Sequence, residues 1–303
     1  MGMTAALKSF LGHLQGSGKA NHTVNSYRFD LLNFTAFLES TRAGKKPLEI
    51  RALSRRDLER YQDWLKHSGQ KANTRRRKVM TVRKLMHYLT SRKKLDLDIG
   101  KRLPAPEKIE RVPETIDLEK FRETLLGLAA ESSLLKRNIA LVGFLADTGC
   151  GVAEAAKLRW SQVDLKTGRV EILGKSERIL ALSSDVTRVF ASLREENRSD
   201  ELCFLGFNRH GPMRVGKRAL GITPRGVELV VKTLSESLGF PGVTPRTLRH
   251  SAVVAWYREG SDEKEIQRRL GLKTPYAFRI YAPIFAGIRD ARSKSSSAAT
   301  SNA

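Results

Sequence analysis

The chain has 303 residues, 40% hydrophobic and 29% charged, which suits a folded globular protein and excludes a disordered one. Fifty-five Lys and Arg against 32 Asp and Glu leave a net charge of +23, which calls for a polyanionic partner, nucleic acid first. A membrane surface fits less well, because no basic amphipathic helix stands beside an anchor, and the apolar runs, such as Ile139 to Ala146, are too short to cross a bilayer.

Chain order begins with helices. Leu7, Phe10, Leu11 and Leu14 recur at helical intervals, and Tyr27, Leu31, Phe34 and Leu38 repeat the pattern in a second segment that Asn21 or Thr23 could cap. Ser54 with Asp57 three residues later forms a capping box ahead of a third helix, and Gly69 stands near its end. A fourth helix carries Val79, Val82, Leu85, Met86 and Leu89 on its apolar side. Its other side presents Arg75, Arg76, Arg77, Lys78, Arg83 and Lys84, a basic face with no balancing acid and thus a candidate DNA-binding surface. Residues 1–113 hold 25 Lys/Arg against 10 Asp/Glu, a balance of +15, while residues 114–303 hold 30 against 22, a balance of +8.

The polar, proline-bearing stretch 99–113 reads as a linker between a helical domain, 1–98, and a second domain, 114–290. Two helices are expected at its start, followed after Trp160 by short alternating segments, "GRVEILGKSERILALS", that read as strand, turn, strand. Helical patterns return in "SDVTRVFASLREEN", "TPRGVELVVKTLSESLGF", "TPRTLRHSAVVAWYREG" and "DEKEIQRRLGL", and residues 291–303 read as a disordered tail. The fold expected is mainly α with a small antiparallel β-sheet in the second domain, an α+β arrangement. The start of the chain lacks the layout of a signal peptide, and two cysteines without a CxxC pair, Cys150 and Cys203, argue for a reducing, cytoplasmic setting with neither a disulfide framework nor a zinc site.

The stretch "TGCGVAEAAKLRW" places Gly149 and Gly151 ahead of a short helical pattern, an arrangement that lets a backbone come close to a phosphate. With the residues around it, "TGCGVAEAAKLRWSQVD" resembles the box T-G-x-R-hydrophobic-[ST]-E-x-x-x-L-x-W-x-D of the tyrosine recombinases, also called the phage integrase family; Thr148, Gly149, Glu154, Leu158, Trp160 and Asp164 fall in register. "TPRTLRHS" is similar to the family's T-P-H-x-L-R-H-[ST], "LGKSERILALS" to its lysine-bearing hairpin, and "LGLKTPYAFRIY" to L-G-H followed nine residues on by the nucleophilic tyrosine. The likeness spans about residues 3–285.

The resemblance implies an N-terminal SAM-like four-helix core-binding domain, a tyrosine recombinase catalytic domain, and a clamp on double-stranded DNA. It implies strand breakage through a 3′-phosphotyrosyl intermediate with no metal or nucleotide cofactor, by homo- or hetero-oligomers (tetramers) on DNA, including pairings with other recombinases, in the bacterial nucleoid. Carried over by position, Tyr281 is the nucleophile, Arg249 and Arg246 hold the phosphate, His250 assists, and Lys175 protonates the leaving oxygen. Tyr276 competes with Tyr281 in principle, but the spacing from Leu270 favours Tyr281. Three family positions are altered: Gly151 stands for an arginine, Arg246 for a histidine, and Leu272 for a histidine or tryptophan. Two functions are compatible with that inventory: a site-specific recombinase or integrase, and a catalytically impaired DNA-binding relative serving as an architectural subunit or partner of an active recombinase.

Overall fold

The computed structural model describes residues 1–41, 48–174, 176–196 and 201–300, with the backbone only for 276, 277 and 293–300. It divides into two compact units, Met1–Glu110 and Arg111–Ala303.

Among the described residues of the first unit the regular elements are helices, α1 (Met3–Gly16), α2 (Asn21–Thr41), α3 (Arg55–His67) and α4 (Ala72–Ser91), with a 3-10 turn at Ile50–Ala52 and an isolated bridge between Gly2 and Glu49. Apolar residues three and four apart put one stripe of each helix into a common core. Leu31, Phe34 and Leu38 of α2, Leu58, Tyr61 and Leu65 of α3, and Val79, Val82, Leu85, Met86 and Leu89 of α4 are all essentially inaccessible there. Each such side chain contributes roughly 1.5–3 kcal/mol by leaving water. The capping box holds as expected: Ser54 Oγ accepts from the Asp57 N–H, and the Asp57 carboxylate accepts from the Ser54 N–H at 2.9 Å. Asn21 is the first residue of α2. Beyond α4 the chain stays tied to this unit. Asn73 makes a reciprocal pair with the backbone of Ile109, at 2.9 and 3.1 Å, and Leu95 and Leu103 are buried.

The second unit opens with α5 (Leu118–Leu126), α6 (Ser133–Thr148) and the one-turn α7 (Val152–Ala155). Next come β1 (Val163–Asp164), β2 (Arg169–Ile172) and β3 (Arg178–Ala181), an antiparallel sheet in the order β1-β2-β3 with Val163 opposite Val170 and Val170 opposite Leu180. After α8 (Ser184–Glu196), two small antiparallel hairpins appear, β4 (Phe207–Asn208) with β5 (Gly211–Pro212) and β6 (Arg214–Val215) with β7 (Arg218–Ala219). Then come α9 (Pro224–Ser237), α10 (Pro245–Arg258), α11 (Glu263–Arg269), a 3-10 turn at Pro275–Tyr281, and α12 (Ala282–Thr300). The sequence pattern foretells the β2–β3 pairing; it misses the five two-residue strands, β1 and β4 to β7, whose alternation is too brief to register. The fold is thus mainly α with small antiparallel sheets, as expected. One difference stands at the C-terminus: α12 continues through Thr300, across residues read from composition as a tail. Their alanines favour helix, and no glycine or proline interrupts the run.

α6 is the axis of this unit. Every residue from Ile139 to Thr148 is buried, so its apolar run is a core helix packed on all sides. It ends at Gly149, whose left-handed φ of +57° suits glycine, and a Cβ there would press on Leu270 and Trp256, each at 3.3 Å. That turn delivers the chain to the candidate site.

Candidate active site

Arg249 is set one turn into α10, which starts at a Thr244 cap reinforced by Thr247. Its guanidinium donates from Nη1 to the Gly149 carbonyl at 2.7 Å and from Nη2 to the Leu270 carbonyl at 3.0 Å. Gly149 closes α6 and Leu270 closes α11, so one cation bridges the carbonyl ends of two helices, where positive charge is favoured. Burial nevertheless pushes the guanidinium's pKa down, with the Glu154 carboxylate opposing that drift.

Glu154 and Arg178 form the floor. Arg178 donates to both Glu154 oxygens, at 2.7 and 3.1 Å, to the Arg269 carbonyl at 2.7 Å and to the Ser176 carbonyl at 3.1 Å. Burial alone would raise the Glu154 carboxyl; the Arg178 bonds and the Gly151 N–H outweigh it and hold it below the usual carboxylate range. Sequence reading missed Arg178. Its only trace is its place in the hairpin "LGKSERILALS", and nothing in a four-residue strand reveals that an arginine there points inward.

The same floor answers whether the turn could cradle a phosphate. The Gly151 N–H donates to Glu154 Oε2 at 2.7 Å, so the backbone group that would meet an anion already holds a carboxylate. α7, at four residues, has little dipole to add. Gly151 itself has φ −78°, and a Cβ there would meet only Glu154 Oε2 at 3.5 Å, an ordinary contact. The position accepts a side chain; the sequence supplies none. Beside it opens a cavity of about 710 Å³ whose wall includes Arg225, Lys232, Arg246 and Arg249. Cys150 lies under the turn with its thiol pushed up to about 11, first by burial and then by Glu154, which makes it a packing residue and not a nucleophile.

The rim is a chain of three side chains. Arg246, exposed on α10, donates from Nε to His250 Nε2 at 3.0 Å, an i, i+4 contact on one helix face. His250 Nδ1 is hydrogen-bonded to the Tyr281 hydroxyl. The Tyr281 ring is buried, stacked 5.6 Å from Phe285 with 13° between the planes. Burial pushes the phenol up to about 12 against the pull of Arg249 and Arg246. Burial, then the charges of Arg246 and Arg249, push the His250 imidazolium down to about 4. The structure therefore brings together Tyr281, His250, Arg249 and Arg246, drawn from two segments 31 residues apart at His250 and Tyr281. Leu272 is half-buried against the core. Lys175 lies outside the described residues, and so does the side chain of Tyr276.

The basic row on α4 differs from the single unbalanced face expected. Four consecutive residues span most of a helical turn and cannot share one side. Arg77 pairs with Asp30 of α2 and donates to Ser26 Oγ at 3.0 Å; Lys78 reaches Asn33 Oδ1 at 2.9 Å, and Lys84 reaches the Tyr27 hydroxyl. On another side, Arg76 donates to the Pro106 carbonyl at 2.6 Å and Arg83 to the Lys101 carbonyl at 3.3 Å. An acid does balance part of the cluster: Asp30, buried and also bonded to Thr81 Oγ1 at 3.1 Å. Arg75 keeps a buried Nε without a partner. Among the described residues, no group of three or more His, Cys, Asp or Glu side chains converges as a metal site, both cysteines are free thiols, and no helix is long and apolar enough to cross a membrane.

Comparison with known proteins bears on the family and the fold. The Phage integrase family profile matches residues 118–286, and that of the Phage integrase N-terminal SAM-like domain matches residues 7–93. Tyrosine recombinase XerD of Listeria innocua is 25% identical over 278 residues, covering 88% of this chain and 89% of the relative. Tyrosine recombinase XerC of Pseudomonas aeruginosa is 26% identical over 285 residues, covering 92% and 90%. In fold the chain is similar to a lambda integrase (75–356) dimer bound to a COC' core site, with a TM-score of 0.65 at 14% identity and 95% coverage of both chains. It is also similar to the XerH site-specific recombinase in a pre-cleavage complex with difH substrate, with a TM-score of 0.67 at 18% identity, covering 91% of this chain and 79% of that one. With matched segments in both units, a catalytic-type fold in the second and a helical SAM-like domain in the first, the chain belongs to the phage integrase family, the tyrosine recombinases.

Proposed function

We propose that this protein is a site-specific DNA recombinase that cuts and rejoins duplex strands through Tyr281. The observation that carries the reading is the meeting of Tyr281 and Arg249 across His250, with Arg246 behind it. Tyr281 Oη attacks the scissile phosphorus while the bond to the 5′-oxygen breaks. The phosphate stays on the tyrosine through its 3′ side, and the departing 5′-oxygen takes a proton, the role assigned to Lys175. Arg249, oriented by two carbonyls, and the exposed Arg246 serve the charge that builds on the nonbridging oxygens. Such preorganised donors supply the largest part of catalysis in reactions of this kind. A 5′-hydroxyl from another strand then displaces the tyrosine. Duplex DNA is the partner, in oligomeric complexes that include further recombinase subunits, within the bacterial nucleoid.

A second reading, a DNA-binding subunit without chemistry of its own, is favoured by one observation: Glu154 and Gly151 satisfy each other where the family carries an arginine. One experiment separates the two. Duplexes recovered from a random pool by binding to the protein are nicked near the centre, so that cleavage strands the covalent adduct. The recombinase reading expects an adduct with the native chain and none with Tyr281→Phe. Retained affinity with no adduct on any recovered site establishes the second reading instead.

A further inference from the structure

The orientation of Arg246 has a consequence for how His250 serves Tyr281. A guanidinium Nε–H is always a donor and never loses its proton near neutral pH. Since it donates to His250 Nε2 at 3.0 Å, that nitrogen must present a lone pair. A neutral imidazole carries one hydrogen, which then sits on Nδ1, the nitrogen bonded to Tyr281. A doubly protonated ring would set N–H against N–H at Nε2, and a ring accepting at both nitrogens would be an imidazolate.

We propose that Arg246 is a positioning residue that locks His250 as the Nδ1–H tautomer, so that the imidazole donates to Tyr281 Oη and does not accept the phenol's proton. His250 is then a stabiliser of the oxygen as it becomes negative, and not the base that activates it. The hydroxyl hydrogen leaves in another direction, with the Oη–H bond broken and a new O–H bond formed on water or on a nonbridging phosphate oxygen of the DNA. This deepens the recombinase reading and rests on it for the role of Tyr281; the tautomer itself does not depend on cleavage. The groups facing His250 are Arg246 and Arg249 on its own helix and Tyr281 on the 3-10 turn packed against it. Both arginines act in one direction, disfavouring the imidazolium, which agrees with a ring held neutral.

The test is a long-range proton–nitrogen correlation on the free, full-length protein carrying 15N-histidine. The chain has six histidines, and the His250 signals are assigned by their loss in His250→Gln. The native ring is expected to be protonated at Nδ1 and bare at Nε2. Arg246→Met, at an exposed position, removes the donor without disturbing the core; the hydrogen is expected to move to Nε2, and the ring's pKa to climb from about 4 toward 6.5. Tyr281→Phe is expected to leave the Nδ1–H form in place. A native Nε2–H ring, an unchanged tautomer in Arg246→Met, or a switch in Tyr281→Phe overturns the proposal. If the tautomer behaves as expected and no covalent adduct forms on DNA, the recombinase reading falls alone.

Discussion

Two groups of side chains meet at the turn after α6, and they treat their charges differently. On the floor, Arg178 and Glu154 leave little unspent: the carboxylate takes both guanidinium nitrogens and the Gly151 N–H, and the guanidinium also binds two carbonyls. On the rim, Arg246 commits only its Nε, and among the described residues its Nη groups make no hydrogen bond. The floor is organised to hold the fold, and the rim keeps donors available for a ligand. Gly151 stands on the seam between them, where an added side chain would carry charge from the closed region into the open one.

The largest effect is expected from breaking the floor. Arg178→Met leaves Glu154 half-buried without its cation, and losing one partner of such a pair costs roughly 3–5 kcal/mol. The melting temperature should fall by on the order of 10 °C. Because the penalty belongs to the orphaned carboxylate, combining it with Glu154→Gln should recover part of the loss, and a double-mutant cycle by chemical denaturation measures that coupling. Next in size is Gly151→Arg. It should leave the melting temperature nearly unchanged, since the position has ordinary φ and room for a Cβ, and should raise adduct formation on nicked DNA by about 10²–10³. Equal destabilisation by both variants would erase the division between floor and rim.

The smallest effect concerns pH. Burial and the two arginines push His250 down to about 4 in the folded chain from an ordinary 6.5, so the unfolded chain binds its proton first as the solution is acidified. Stability is therefore full above about 6.5 and declines as pH falls toward about 4. Urea midpoints across that range should show this decline in the native protein and a shallower one in His250→Gln.

Much of this was legible in the residues. Ser54 with Asp57, the glycine after α6, and the spacing from Leu270 to Tyr281 each report local geometry, which sequence encodes directly. The i, i+4 relation of Arg246 and His250 was legible too, as two residues of one helix face. What sequence could not convey was where long-range partners would come from. Asp30 sits within an apolar-patterned α2, and only packing against α4 reveals it as the acid under Arg77. Arg178 and Glu154 are 24 residues apart on a strand and a one-turn helix, and no periodicity links them. The hairpins between 207 and 219 are held by paired backbones two residues at a time, below the length at which side-chain alternation carries information.

Arg249 has a further meaning for how the protein fails. Its guanidinium is anchored to the last carbonyls of α6 and α11, and the end of α6 that it holds, from Ile139 to Thr148, is buried in the core of the second unit. Releasing the arginine therefore means opening the buried end of α6 or the end of α11. On heating, the placement of Arg249 is thus expected to be lost together with the packing of that buried helix end.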